Sequence, residues 1–101
     1  MTFKERVYEL SKKIPKGKVV TYGQLAEMAG SPGAARAVGM CMRTNPFAPV
    51  VPCHRVVASD GKLTGFSMEG GVVTKKKMLL AEGVFFTGDK VDLEKSQWKR
   101  S

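Results

Sequence analysis

The chain has only two cysteines, Cys41 and Cys53, and a single histidine, His54. Two thiols and one imidazole fall short of a four-ligand zinc site within one chain, so no metal centre is expected. No disulfide is needed either, because a chain of 101 residues can bury a modest core without staples. Nothing points to secretion, and free thiols in a reducing cytoplasm are the expectation. No apolar run approaches the roughly 18 residues of a membrane span. A signal-peptide pattern is also missing, and the first residues read directly as a charged amphipathic helix. No repeat, linker or low-complexity segment divides the sequence, so one domain over residues 1–101 is expected, as a monomer away from membranes. Acidic residues are scarce: nine Asp and Glu face 17 Lys and Arg, a formal net charge of +8. That imbalance predicts a polyanionic partner. The basic residues are spread along the chain, with one local cluster at Lys75-Lys76-Lys77, so charge alone defines no groove.

What is present is a series of helix signals. Thr2 and Glu5 form a capping-box pattern, and Phe3, Val7, Leu10 and Ile14 recur at helical spacing up to Pro15-Lys16-Gly17. Lys18-Val19-Val20 reads as an extended link. Thr21 and Gln24 form a second capping box opening a short helix with Leu25 and Met28, which Gly30 can close in the left-handed conformation. Ser31 as cap and Pro32 at the first position predict a third helix, running to Met42 and ending before Asn45-Pro46. The pair reads as a helix-turn-helix. Val56 to Thr64 around the Ser59-Asp60-Gly61 turn suggests a hairpin. Residues 72–81 read as a helix with a lysine-rich face and with Val73, Met78, Leu79 and Leu80 as its apolar positions. A closing hairpin spans 84–93, followed by a polar tail apart from Trp98. The fold class is therefore mainly α with small β hairpins.

Val50-Val51-Pro52-Cys53-His54-Arg55-Val56-Val57 carries the chemistry. It sets a thiol beside the only imidazole, with an arginine adjacent. A thiol attacks as thiolate, and a free cysteine is only a few per cent ionised at neutral pH, so a neighbouring base or cation matters. Pro52 suits the first position of a helical turn, which would put Cys53 in its first turn. The competing reading is a buried structural cysteine in an apolar strand. The third helix adds a second clue. Its outer face is Ala34, Ala35, Ala37 and Gly39, with one long side chain, Arg36. Major-groove readers present several polar side chains to base edges. Small residues instead permit close approach to a narrow groove, and one arginine can reach into the base stack.

With those pieces in order, the chain resembles the DNA-binding and active-site domain of O6-alkylguanine-DNA alkyltransferases, the methylated-DNA–protein-cysteine methyltransferases. The matching stretches are Ile14 to Ala26, Ala34-Ala35-Arg36-Ala37-Val38-Gly39, Asn45-Pro46, Val51 to Val57 and Leu79 to Val84. The resemblance implies a winged helix-turn-helix-like domain. It implies a DNA repair activity in which Cys53 irreversibly accepts a methyl or larger alkyl group from O6-alkylguanine in double-stranded DNA, once per molecule and without a cofactor. By position, His54 resembles the general base acting through a bridging water, and Glu82 the carboxylate orienting it. Asn45 resembles the residue tying the active-site turn. Tyr22 resembles the tyrosine that presses on the target phosphate and donates toward the base. Arg36 resembles the finger filling the stack after base flipping, with Ala34, Ala35 and Gly39 around it on the DNA face. Val56, Phe66, Ser67 and Lys75 resemble the substrate pocket. O6 is buried by stacking, so the nucleotide must be extruded, at a few kcal/mol.

Two departures qualify the match. Phe66 stands where the family usually has a tyrosine, which removes one donor to the leaving guanine, and the loop that follows is about two residues longer. In length the chain resembles the alkyltransferase-like proteins, which bind alkylguanine and hand it to excision repair. Cys53 argues against that class, which has another residue at the acceptor position. A helix-turn-helix transcription regulator with an incidental cysteine is a third reading, disfavoured by the few base-reading side chains on the third helix.

Overall fold

A computed structural model describes residues 1–48, 50–63 and 71–99. Helix α1 (Phe3–Ser11) opens on a capping box. The Thr2 hydroxyl accepts from the Glu5 N–H at 3.1 Å, and the Glu5 carboxylate accepts from the Thr2 N–H at 3.0 Å. The helix ends one turn before the sequence pattern does. Lys13 and Ile14 donate to Leu10 and Ser11, bonds of a tightening final turn. Ile14 is still fully buried, so its place in the apolar pattern reports the core and not the helix.

Strand β1 (Val20–Thr21) runs straight into α2 (Tyr22–Met28), with Thr21 and Gln24 in the expected capping box. Gly30 is left-handed at φ +85. Around it Ser31 N–H bonds to Ala26 and Gly30 N–H to Glu27, a Schellman closure. Helix α3 (Ala35–Arg43) starts later than expected: Ala34 caps it without a side-chain bond. Ser31 and Pro32 belong instead to a turn closed by Ala34 N–H on Ser31 C=O. A proline followed by a glycine suits the two central positions of such a turn better than a helix start.

Cys53–Arg55 form one turn of 3₁₀ helix leading into β2 (Val56–Val57). Strand β2 pairs with β1 in parallel, Val20 with Val56 and Thr21 with Val57. The hairpin expected from Val56 onward is therefore corrected. Its turn exists, with Gly61 bonding back to Ala58, but the ladder partner of β2 is β1. Alternation along this pair serves two cores. Val20 and Val56 point into a core with Val7, Leu25, Val38, Met42 and Cys53. Val19 and Val57 point into a second with Leu79, Val84 and Val91.

Helix α4 (Gly71–Ala81) differs most from its sequence reading. Only Lys75 and Leu79 are buried, while Val73 and Leu80 are exposed. Strands β3 (Phe86–Thr87) and β4 (Lys90–Val91) form the expected closing hairpin. The polar tail contains a short helix α5 (Leu93–Ser96), capped by Asp92. It then returns along β1: Val19 N–H donates to Ser96 C=O and Trp98 N–H to Val19 C=O. The described architecture is mainly helical, with a helix-turn-helix and two two-stranded sheets, one parallel and one antiparallel. No described helix is long and apolar enough to cross a membrane.

Candidate active site and nucleic-acid interface

The parallel pairing of β1 and β2 delivers the Cys53–Arg55 turn beside the start of α2. Pro52 occupies the cap position of that turn, one residue earlier than expected. A single 3₁₀ turn carries little dipole, so activation of the thiol has to come from side chains. Asn45, itself buried, braces the approach. Its amide donates to Val51 C=O at 2.8 Å and its oxygen accepts from Phe47 N–H at 2.8 Å, tying the two ends of the loop that enters the cysteine turn.

Cys53 and His54 are 1% and 2% exposed, so a reacting thiol here is shielded from bulk solvent. Glu82 follows the last turn of α4 and reaches the imidazole: His54 Nε2 lies 3.1 Å from its Oε2. Arg55 grips the same carboxylate with two bonds, from Nε at 2.9 Å and from Nη2 at 2.7 Å, and bonds the Ile14 carbonyl through Nη1. Gly17, left-handed at φ +89, lets the neighbouring turn pass close to this carboxylate's backbone, since a Cβ there would stand 3.1 Å from Glu82 C=O.

Electrostatics sort the protonation states. Burial penalises the ionised form of Glu82, but the hydrogen bonds from Arg55 and His54 outweigh it and hold the carboxyl below its ordinary range. Burial pushes His54 down; the Glu82 contact opposes this, and the charges of Arg55 and Lys75 reinforce it. The imidazole is thus neutral at pH 7. An ionised carboxylate only accepts, so Nε2 carries the proton and Nδ1 the lone pair. Nδ1 is buried and makes no hydrogen bond to the described residues.

Lys75 is fully buried and donates to Val56 C=O at 2.7 Å, with Nζ 5.9 Å from the centre of the Tyr22 ring. Burial lowers its pKa to about 8, against the opposing influence of a negative charge at Cys53. It therefore links the strand that follows Cys53 to the tyrosine at the start of α2. Phe66 and Ser67 lie outside the described residues.

Tyr22 opens onto a cleft of about 570 Å³ between α2, α3 and the turn after β2. Gly23, Ala35, Arg36 and Gly39 line it; of the small residues expected on the outer face of α3, Ala37 is exposed but is not among the lining. Ala34 does not line it either; it packs against the first core. A Cβ at Gly23 or Gly39 would meet nothing within 4 Å. The fold therefore does not require these glycines, although a glycine inside a helix is unfavourable by about 0.5–1 kcal/mol against alanine. Sequence reasoning missed Met40, Arg43, Ala58 and Ser59 on the same cleft. Arg43 was findable, because it falls seven residues after Arg36, two helical turns along one face. Ala58 and Ser59 arrive through the β1–β2 pairing and had no local signal. The clamp of Arg55 on Glu82 was likewise invisible along the chain.

The architecture is that of an alkyltransferase DNA-binding domain. It superposes on S. pombe Atl1, solved in complex with damaged DNA containing O6-carboxymethylguanine. The TM-score is 0.82 at 35% identity, covering 97% of this chain and 95% of that one. It also superposes on the Mycobacterium tuberculosis OGT solved in complex with DNA, at TM-score 0.75 and 45% identity, covering 81% of this chain and 49% of that one. Residues 2–84 match the family described as 6-O-methylguanine DNA methyltransferase, DNA binding domain, and the chain belongs to that family. The methylated-DNA–protein-cysteine methyltransferase of Mycolicibacterium paratuberculosis is 51% identical over 79 residues, and that of Shigella flexneri 49% over 81. These matches cover 78% and 80% of this chain, and 46% of each relative, so the chain spans about half the length of these relatives.

Proposed function

We propose that this protein repairs O6-alkylguanine in double-stranded DNA by moving the alkyl group to Cys53, irreversibly and once per molecule. The observation that carries the reading is the chain Arg55–Glu82–His54 beside a buried Cys53. It supplies a neutral imidazole in one tautomer, held in place by an ionised carboxylate. Nδ1, with its lone pair, takes the thiol proton through a bridging water. Sγ then attacks the alkyl carbon as the C–O6 bond breaks. The bonding pair stays on the guanine, which leaves after gaining one proton, with Tyr22 donating toward it. Asn45 holds the loop before Cys53, and Lys75 with Val56 supports the pocket wall. The cleft along α3 takes the duplex, with Arg36 filling the stack where the target nucleotide has left. Metal and cofactor have no role in this mechanism. The protein works as a monomer in the cytoplasm, where DNA is exposed to it.

Intact-protein mass spectrometry after mixing with a duplex bearing O6-methylguanine tests this. The expected product carries one added methyl group, mapped to Cys53, with no turnover beyond one equivalent, and Cys53→Ala abolishes it while duplex binding persists. Methylation surviving in Cys53→Ala, or repeated turnover, would refute the proposal. The near end-to-end match to Atl1 favours one second reading, a lesion-binding protein that flags alkylguanine for excision repair. Tight lesion binding with Cys53 left unmodified is the outcome that selects it.

A further inference from the structure

Met40 is 56% exposed, although Met42, two residues further along α3, is fully buried in the core. A methionine normally fills core gaps, and an exposed one gains nothing from water. Met40 projects instead into the α3 cleft, one turn beyond Arg36 and one turn before Arg43. Its backbone is fixed where it stands: Thr44 donates to the Met40 carbonyl through both its N–H, at 3.0 Å, and its hydroxyl, at 2.8 Å. Beside it on the outward part of α3 Ala37 and Gly39 are small, and a Cβ at Gly39 would meet nothing within 4 Å.

We propose that Met40 is an apolar wedge that enters the minor groove beside Arg36. This rests on the reading of α3 as the helix that docks on duplex DNA. Two guanidiniums flanking a thioether match a groove whose rims are phosphates and whose floor is sugars and base edges. Methionine is among the side chains that minor-groove proteins insert between base steps, partly unstacking them. Four helical residues advance about 6 Å, less than two base steps of about 3.4 Å. Met40 therefore meets the duplex one or two steps from the position that Arg36 fills. An unbranched, polarisable chain suits that place, because it adapts to whichever bases flank the lesion and carries no sequence preference.

The test uses a duplex with O6-methylguanine and 2-aminopurine placed one or two steps away, with affinity read by anisotropy and unstacking by 2-aminopurine fluorescence. Met40→Ala and Met40→Gln should each weaken binding about tenfold and lose the fluorescence rise. Met40→Leu should keep both. The salt dependence should be unchanged in all three, because no phosphate contact is removed, whereas Arg43→Ala should make it shallower. Wild-type affinity in Met40→Ala, or a fluorescence rise that persists in it, overturns the wedge. Wild-type protein that binds the duplex but leaves Cys53 unmodified overturns the transfer reading and not the wedge; a wild type that binds no duplex overturns both.

Discussion

His54 and Glu82, 28 residues apart in the chain, meet at 3.1 Å, and their contact decides which imidazole nitrogen is free to accept a proton. Because Arg55 holds both carboxylate oxygens, Glu82 can turn away only by breaking two charge-assisted bonds. His54→Ala should slow transfer to free O6-benzylguanine by about 10²-fold or more, the usual range for a positioned base. Glu82→Gln should slow it less and permit the other tautomer. Single-turnover rates of alkylation measure both, and unchanged rates in both variants would remove the imidazole from the mechanism.

The same burial makes stability depend on pH. His54 has a lowered pKa in the folded state, so below about pH 6.5 the unfolded chain takes up a proton that the folded chain resists. Stability is therefore full above that pH and falls as the solution is acidified. With one histidine in the chain, the assignment is direct: His54→Gln should flatten denaturant-derived stability between pH 7 and pH 5.5. Below that range the lowered pKa of Glu82 adds a further loss, since its ionised form is held in the fold and given up as pH falls.

Lys75 extends the same upward slope to alkaline pH. Its pKa of about 8 lies below the ordinary 10.5, so burying it as a cation opposes folding at pH 7, by an amount on the order of 3 kcal/mol. That penalty fades as pH rises from 8 through 10.5, where the unfolded lysine also becomes neutral. Wild-type stability should rise over this window. Lys75→Met should remove the rise, leave the protein at least as stable at pH 7, and slow transfer, because the tie between Val56 and Tyr22 is gone. Melting curves at pH 7 and pH 10 beside a transfer assay check the trade. A Lys75→Met protein that melts far below wild type at pH 7 would contradict it.

These contacts mark where sequence reading stops. The capping boxes at Thr2–Glu5 and Thr21–Gln24 were legible because three residues of separation settle them. The alanine- and glycine-rich face of α3 and the cysteine–histidine pair were legible as composition at fixed spacing. Ser31-Pro32 misled, because the same two residues open a turn as readily as a helix. The resemblance alone marks Lys75 within its lysine run, because the Val56 carbonyl that separates it from Lys76 and Lys77 lies across the core and leaves no local signal. The parallel pairing of β1 with β2 joins segments some 36 residues apart, which local pattern does not reach; it sets the cysteine turn beside Tyr22.

Gly39 separates folding from binding. A methyl group there meets open space, so Gly39→Ala should stabilise α3 by about 0.5–1 kcal/mol, seen as a higher melting temperature. Gly39→Leu keeps the helix but stands in the cleft, and should weaken duplex binding while the free base still reacts. Equal duplex affinity for wild type and Gly39→Leu would show that no partner approaches this face closely.

Arg36 divides duplex chemistry from base chemistry. It lies exposed on the cleft beside Tyr22, away from the buried pair of Cys53 and His54. If it fills the stack once the nucleotide has left, its contribution is made only when there is a stack to fill. Extrusion from duplex DNA costs a few kcal/mol, and losing part of the compensation should slow duplex repair by about tenfold to a hundredfold in Arg36→Ala. Free O6-benzylguanine requires no extrusion, so its rate should fall far less. A mispaired or single-stranded target, already partly unstacked, should fall between the two. Rates on duplex, mispaired duplex and free base in parallel read this gradient. Equal losses on all three would place Arg36 in the fold or the pocket instead of the gap.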